Sequence, residues 1–253
     1  MPVLTLATSG GPYAGAVVSW WNRRRTRLAA SWLASRTTGA TSPVERLQLD
    51  DVSPELTVYL GQAAYLQLSL YEAMGRAGSS APTMSGRLVT GVLATTALDR
   101  HRAIVAEIAR SGHEPAELMA PHREAIDAFL RRIAGADWFE AILTGYVTAG
   151  ILNDLFASLA KSLPADVRGR LKTVFDGREE AAVVEELTAV IAREPLVASR
   201  LAMWGRRLVG DTLLVARSAL ASHAREDEER LEPVFTELIA AHTRRMDALG
   251  LTA

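Results

Sequence analysis

The spacing of its apolar residues constrains the fold of this chain most. They recur every three or four positions along most of its length, which is the period of an amphipathic α-helix. Alternating runs bounded by turn pairs, which would indicate strands and hairpins, are nearly absent. Alanine and leucine, two strong helix formers, dominate the composition. The sequence therefore predicts an all-α protein, and 253 residues suffice for one large domain with a core.

Proline, glycine and serine divide this pattern into helices. Four predicted helices are each longer than twenty residues and cover 54–76, 83–111, 137–163 and 165–193. Short loops join the members of each pair, whereas the segment 112–136 forms a longer crossover between the pairs. Two helices, a long crossover and two more helices is the connectivity of a ferritin-like four-helix bundle, which is therefore the predicted fold.

Additional helices are predicted on both sides of the bundle. Residues 1–45 are expected to form an N-terminal extension with a loose start, one helix and a linker. The bundle domain is expected to span 46–253 and to include further C-terminal helices, the first of them opening at Pro195.

Composition excludes several classes of function. The chain has no cysteine, so disulfides, thiolate metal sites and thiol nucleophiles are impossible. Its net charge of −1 provides no overall attraction to nucleic acid or to a membrane surface. The amino terminus lacks the basic start and apolar core of a signal peptide, and no run of eighteen apolar residues occurs. We therefore expect a cytoplasmic protein without a membrane span.

The histidines decide whether the chain carries the usual metal motif of such bundles. Di-metal bundles use a Glu from each of two helices and a Glu-x-x-His from each of the other two. Residues three apart share one helix face, so this carboxylate and imidazole reach the same ion. The residues three positions before the five histidines are Leu98, Arg110, Met119, Leu220 and Ile239. None is acidic, so the complete motif does not occur.

Several segments carry a resemblance to a known family. They read "AAYLQLSLYEAM", "GHEPAELMAPHREAIDAF", "DWFEAILTGYVTAGILNDLF" and "EPLVASRLAMWGRRLVGD". From Val52 to Ala253 the chain resembles actinobacterial ferritin-like proteins related to the tRNA 2-methylthio-N6-isopentenyladenosine hydroxylase. The resemblance implies a helical bundle that holds a di-iron centre and activates oxygen.

The resemblance fails at the ligand positions it implies. Where the first helix of the family usually reads Glu-Leu-Ser, this chain has Gln67 followed by Leu68 and Ser69. The Glu-x-x-His pair of the second helix corresponds to Ala97 and Arg100, or with an offset of one to Leu98 and His101. In the third helix the acidic positions fall near Ala149 and Asp154, and in the fourth they fall at Asp176 and Glu179.

These positions suggest a degenerate metal site. A guanidinium only donates hydrogen bonds and is always cationic, so Arg100 cannot ligate a metal ion. It continues an apolar helical stripe and is expected to point inward. We hypothesise that it pairs with Asp154, Asp176 or Glu179, with Gln67 bonded nearby, so that no metal is bound and no catalysis occurs. The protein would then be structural or regulatory, as a homodimer or as the partner of an intact paralogue.

Two alternatives remain open at this point. The first is a di-iron tRNA-modifying hydroxylase with an atypical site built from His101, Asp154, Asp176 and Glu179. The second is a bundle whose emptied cavity binds an apolar or anionic small molecule, with Arg100 as its counter-ion.

RNA is a further possible partner. In the predicted N-terminal helix, Trp20, Trp21 and Trp32 stand beside an arginine cluster at 23–27. Basic residues interleaved with aromatics can bind single-stranded RNA. Packing of the tryptophans on the bundle or on a second subunit, with the arginines in water, is the favoured interpretation.

Overall fold

Helices make up every regular element in the described part of the chain. A computed structural model describes residues 55–175, 180–221 and 228–251. The helices are α1 (Leu56–Ser79), α2 (Met84–Arg110), α3 (Pro115–Met119), α4 (Arg123–Arg132), α5 (Trp138–Leu159), α6 (Ala165–Leu171), α7 (Glu180–Arg193), α8 (Pro195–Ala221) and α9 (Glu228–Ala248). Single 3₁₀ turns, Ala120–His122 and Ala160–Ser162, follow α3 and α5. The predicted all-α class is confirmed. The predicted N-terminal extension, with its tryptophans and arginines, lies outside the described residues.

Side-chain caps set where two of the long helices begin. The Thr83 hydroxyl accepts a hydrogen bond from the Gly86 amide at 2.9 Å at the start of α2. At the start of α5 the Asp137 carboxylate accepts from the Glu140 amide at 3.0 Å, and Glu140 accepts from the Ala136 amide at 2.8 Å. These bonds use amides that have no partner inside the helix.

The helices pack as a ferritin-like bundle around α5. Helices α1 and α2 form a hairpin, and α5 packs against α1, α8 and α9. Helix α7 contacts α2, α5 and α8. Helix α5 is long and apolar enough to cross a membrane by composition alone, but 72% of the window that qualifies is buried by protein. It is therefore the central helix of the core.

The predicted helix 165–193 is not continuous in the structure. Helix α6 ends at Leu171 and is followed by a turn at 172–175, and α7 begins at Glu180. The Val174 carbonyl accepts a hydrogen bond from Nε of Arg100 at 2.9 Å. The Val174 carbonyl, which would accept a bond within a continuous helix, instead accepts one from Arg100 in another helix. Local helix propensity cannot predict such a long-range contact.

A buried ion pair ties α6 to α2. Glu107 of α2 is buried, and Arg170 of α6 donates to it twice, from Nε at 2.8 Å and from Nη2 at 2.6 Å. Arg110 also donates to this carboxylate. The hydrogen bond from Arg170 holds the pKa of the Glu107 carboxyl below its ordinary value. Glu107 therefore keeps its charge inside the bundle because it has two cationic partners.

The crossover between the two halves of the bundle approaches α1 at a glycine. A Cβ atom placed on Gly61 would lie 2.2 Å from the backbone carbonyl oxygen of Leu118. Backbone at that distance cannot rotate away as a side chain can. Gly61 is therefore required for α3 to pack against α1.

We expect Gly61→Ala to destabilise the fold by about 1–3 kcal/mol, because α3 must move away from α1. Gly75→Ala in the same helix is the matched control, since a Cβ there meets nothing within 4 Å. The control should be neutral or stabilising by up to about 1 kcal/mol. Urea unfolding of both variants measures the difference. Equal stability changes in the two variants would show that the close approach at Gly61 is unimportant.

Candidate functional site

The structure buries two of the polar residues that sequence analysis placed in the core. Gln67 of α1 and Arg100 of α2 are both buried. Each continues an apolar stripe of its helix, so the helical period predicted these orientations correctly. Their burial raises the question of which groups satisfy their hydrogen-bonding atoms.

A pair of amide side chains joins α1 to α5 at the centre of the bundle. Nε2 of Gln67 donates a hydrogen bond to Oδ1 of Asn153 at 2.8 Å, and both side chains are buried. Neither group carries a charge. In the described part of the chain Oε1 of Gln67 has no hydrogen-bond partner. The amide of Gln67 thus stands where the resemblance implies a glutamate, and its partner Asn153 is also uncharged.

The buried polar residue of α5 that faces Gln67 is Asn153, whereas Asp154 beside it is half-buried. Each residue advances a helix by about 100°, so neighbouring side chains point in different directions. The Asp154 carboxylate instead accepts a hydrogen bond from Nη1 of Arg245 in α9 at 2.8 Å. Of the three carboxylates predicted as possible partners of Arg100, Asp154 is thus the one that bonds to Arg245.

Arg100 contacts the turn that follows α6. Its Nε atom donates to the Val174 carbonyl, as described above. Two of its three predicted carboxylate partners, Asp176 and Glu179, lie outside the described residues, so those pairings stay predictions. What the structure adds is a backbone partner for the guanidinium.

His101 is half-buried and is held by the backbone of α1. Its Nδ1 atom lies 2.9 Å from the carbonyl oxygen of Ala64, to which an Nδ1–H donates. Across residues 55–175, 180–221 and 228–251, no three His, Asp or Glu side chains are grouped so that they could hold a metal ion. His101 and Asp154, the two described members of the alternative ligand set, each bond elsewhere.

The described residues do not fit a di-iron centre. Such a centre in a ferritin-like bundle is held mainly by carboxylates, which neutralise the charge of the two ions. Here an amide oxygen supplies a dipole without charge, and the buried guanidinium of Arg100 would repel a cation.

Two cavities lie away from these residues. The first, of about 490 Å³, lies between α5, α7 and α9 and is lined by residues that include both members of the Asp154–Arg245 pair. The second, of about 530 Å³, lies between α1, α4 and the start of α5. Neither is lined by Gln67 or Arg100. The sequence-based expectation of a ligand cavity beside those two residues is thus not met by either space.

Asn153 is the residue of this pair that the sequence does not predict, because the resemblance implies acidic residues in the third helix and Asn153 is an amide beside Asp154. The available signal was Gln67, which is the amide counterpart of the glutamate implied for the first helix. A buried amide in α1 needs a hydrogen-bond acceptor on a neighbouring helix, because its N–H groups would otherwise be unsatisfied. Asn153 of α5 provides that acceptor.

The Gln67–Asn153 pair allows a double-mutant cycle. We expect Gln67→Leu or Asn153→Leu alone to cost about 1–3 kcal/mol, because each leaves a buried amide without its partner. The double variant should lose less than the sum, since it leaves no orphaned partner. Gln62→Leu, at a half-buried glutamine of the same helix, is the control and should change stability by less than about 0.5 kcal/mol. Additive effects in urea unfolding would contradict the pairing.

The similarity of the chain to known proteins agrees with this architecture. Residues 53–228 match the family described as the ferritin-like domain of actinomycetes, and this span is well over half of the 253 residues. No curated protein is significantly similar to the chain. The match supports membership of the ferritin-like family. It does not test the closer relationship to the tRNA hydroxylases that the sequence resemblance implies. The chain therefore belongs to the actinomycete ferritin-like domain family.

Proposed function

We propose that this protein is a non-catalytic ferritin-like bundle that binds no di-iron cofactor and acts as a structural or regulatory protein in the cytoplasm. The observation that carries the proposal is the buried hydrogen bond between Gln67 and Asn153. The amide of Gln67 stands where a relative of the tRNA hydroxylases would be expected to have a glutamate ligand, and its buried partner Asn153 is uncharged as well.

Charge balance supports this proposal. A di-iron centre brings several positive charges into the core, and carboxylates must offset them. Here the amide pair contributes none, and Arg100 adds a positive charge of its own. If Asp176 or Glu179 also faces the core, its natural partner is this guanidinium and not a metal ion. The alternative of an atypical hydroxylase requires that those residues bind iron beside a cation.

Iron loading distinguishes the two functions. We expect the purified chain, incubated with Fe(II) without oxygen and then desalted, to retain far less than one iron per chain. The matched control is a triple variant, Asp154→Asn, Asp176→Asn and Glu179→Gln, which lacks the acidic residues of the alternative site. It should retain the same small amount of iron as the native chain, measured by elemental analysis.

Retention of roughly two irons per native chain, lost in the triple variant, would overturn the proposal and favour the hydroxylase alternative. Equal retention in both proteins would identify the metal as surface-bound and would support it.

The partner proposed for this role is a second copy of the chain or a paralogue. An apolar stripe on α2 supports this part of the proposal. Met84, Leu88 and Val92 follow one another at intervals of four residues and are 68%, 66% and 45% exposed. Gly91 lies beside them, and a Cβ there would meet nothing within 4 Å. Large exposed apolar residues aligned on one helix face are typical of helix–helix interfaces.

We expect light scattering after gel filtration to give about twice the mass of one chain at micromolar concentration. Leu88→Glu should shift the protein to a monomer, because it places a charge in the apolar stripe. Arg206→Glu, at an exposed position of α8, is the control and should leave the mass unchanged. A monomeric native chain would exclude the homodimer and leave the paralogue as the proposed partner.

A further inference from the structure

The second cavity is large enough to hold a small organic molecule. It is lined by residues of α1, α4, the loop 133–137 and the first turns of α5, and we call it the α1–α4 cleft. Its volume is about 530 Å³, and ligand pockets in proteins span about 300–1,000 Å³. Protein interiors otherwise leave few spaces larger than a water molecule. The cleft is therefore a candidate binding site separate from the buried amide pair.

Small side chains keep the α1–α4 cleft open. A Cβ on Gly145 would lie 2.5 Å from Sδ of Met74, and a Cβ on Gly135 would lie 2.5 Å from the amide nitrogen of Ala141. Glycine thus lets α1 and the loop before α5 approach α5 closely. Five alanines also line the cleft, at positions Ala73, Ala77, Ala134, Ala136 and Ala141. A large side chain at one of these positions would fill the space.

The floor of the cleft is apolar. Leu70, Met74, Ala77 and Ile133 line it and are between 1% and 7% exposed. Leu130 of α4 is half-buried and lines the cleft as well. A guest with a hydrocarbon body would remove apolar surface from water on both sides of the contact, which favours binding.

Each of the three carboxylates that line the cleft already has a cationic partner. The pairs are Glu72–Arg76 at 3.7 Å, Asp127–Arg123 at 3.7 Å and Asp137–Arg200 at 2.5 Å. Asp127 also accepts a hydrogen bond from the Tyr65 hydroxyl at 2.8 Å. These carboxylates therefore provide no free negative charge for a cationic guest.

Arg131 of α4 is the remaining charge at the cleft. It lines the cleft and is exposed, and it has no carboxylate partner among the residues that the structure describes. Arg76, the other lining cation, is paired with Glu72. A guanidinium can offer a carboxylate two parallel hydrogen bonds. The cleft thus combines an apolar floor with one positive charge that no acidic group offsets.

We propose that the α1–α4 cleft binds a small carboxylic acid with an apolar body. The hydrocarbon part covers Leu70, Met74 and Ile133, and the carboxylate pairs with Arg131. A neutral apolar guest leaves the guanidinium unused, and a fully polar anion leaves the floor uncovered. Because neither Gln67 nor Arg100 lines the cleft, this site is independent of whether the bundle holds iron.

Calorimetric titration with octanoate tests the proposal. We expect the native chain to bind octanoate with a Kd of roughly 0.1–1 mM. The chain-matched neutral probe, 1-octanol, should bind about three- to fivefold more weakly, because it lacks the charge that pairs with Arg131. No octanoate binding in this range, or equal affinities for the two probes, overturns the proposal.

Two variants separate the apolar floor from the charge. Arg131→Gln should weaken octanoate binding about three- to fivefold and leave octanol binding unchanged. Ala73→Phe should abolish binding of both probes, because the ring fills the cleft, and circular dichroism checks that it folds. Arg206→Gln, at an exposed position outside the cleft, is the control and should bind both probes like the native chain. An unchanged octanoate affinity in Arg131→Gln overturns the proposal.

Methionine-methyl NMR of the native chain locates the guest without a variant. Octanoate should shift the methyl signal of Met74, which lines the cleft. Met84 and Met203 are 68% and 69% exposed, so their signals report non-specific adsorption and should stay unchanged. A shift confined to the exposed methionines identifies adsorption to the surface and overturns the proposal.

Discussion

The hydrogen bond between Gln67 and Asn153 is the interaction on which the interpretation of this bundle depends. It joins α1 to α5 at full burial and is built from two uncharged groups. Carboxylates at these positions would require a metal ion or several cations to stay ionised in the core. Uncharged amides require no counter-ion, although Oε1 of Gln67 has no hydrogen-bond partner in the described part of the chain. The proposal of a non-catalytic protein rests on this difference in charge.

The bundle treats its buried polar groups in three ways. Glu107 keeps its charge, because Arg170 and Arg110 both donate to it. Gln67 and Asn153 pair as neutral groups. Thr148, Thr212 and His242 are buried without a side-chain hydrogen-bond partner in the described part of the chain.

The buried orientation of two site residues could be predicted from the sequence. The predictions that failed have a geometric cause. The period of the apolar residues predicted that Gln67 and Arg100 point inward, and both are buried. The family resemblance, by contrast, implied an acidic ligand near Asp154, whereas Asn153 is the buried residue there and Asp154 bonds to Arg245. An error of one position turns a side chain by about 100°, which is enough to move it from the core to another interface.

The sequence by itself determined the all-α class, the positions of α1, α2 and α5, and the absence of a Glu-x-x-His motif. These properties follow from local periodicity and residue type, which act within a few turns of helix. Only the tertiary structure decided that 165–193 breaks after Leu171, that Asn153 partners Gln67, and that Asp154 bonds to Arg245. Each of these results depends on groups far apart in the chain, whose distance and register are set only when the helices pack.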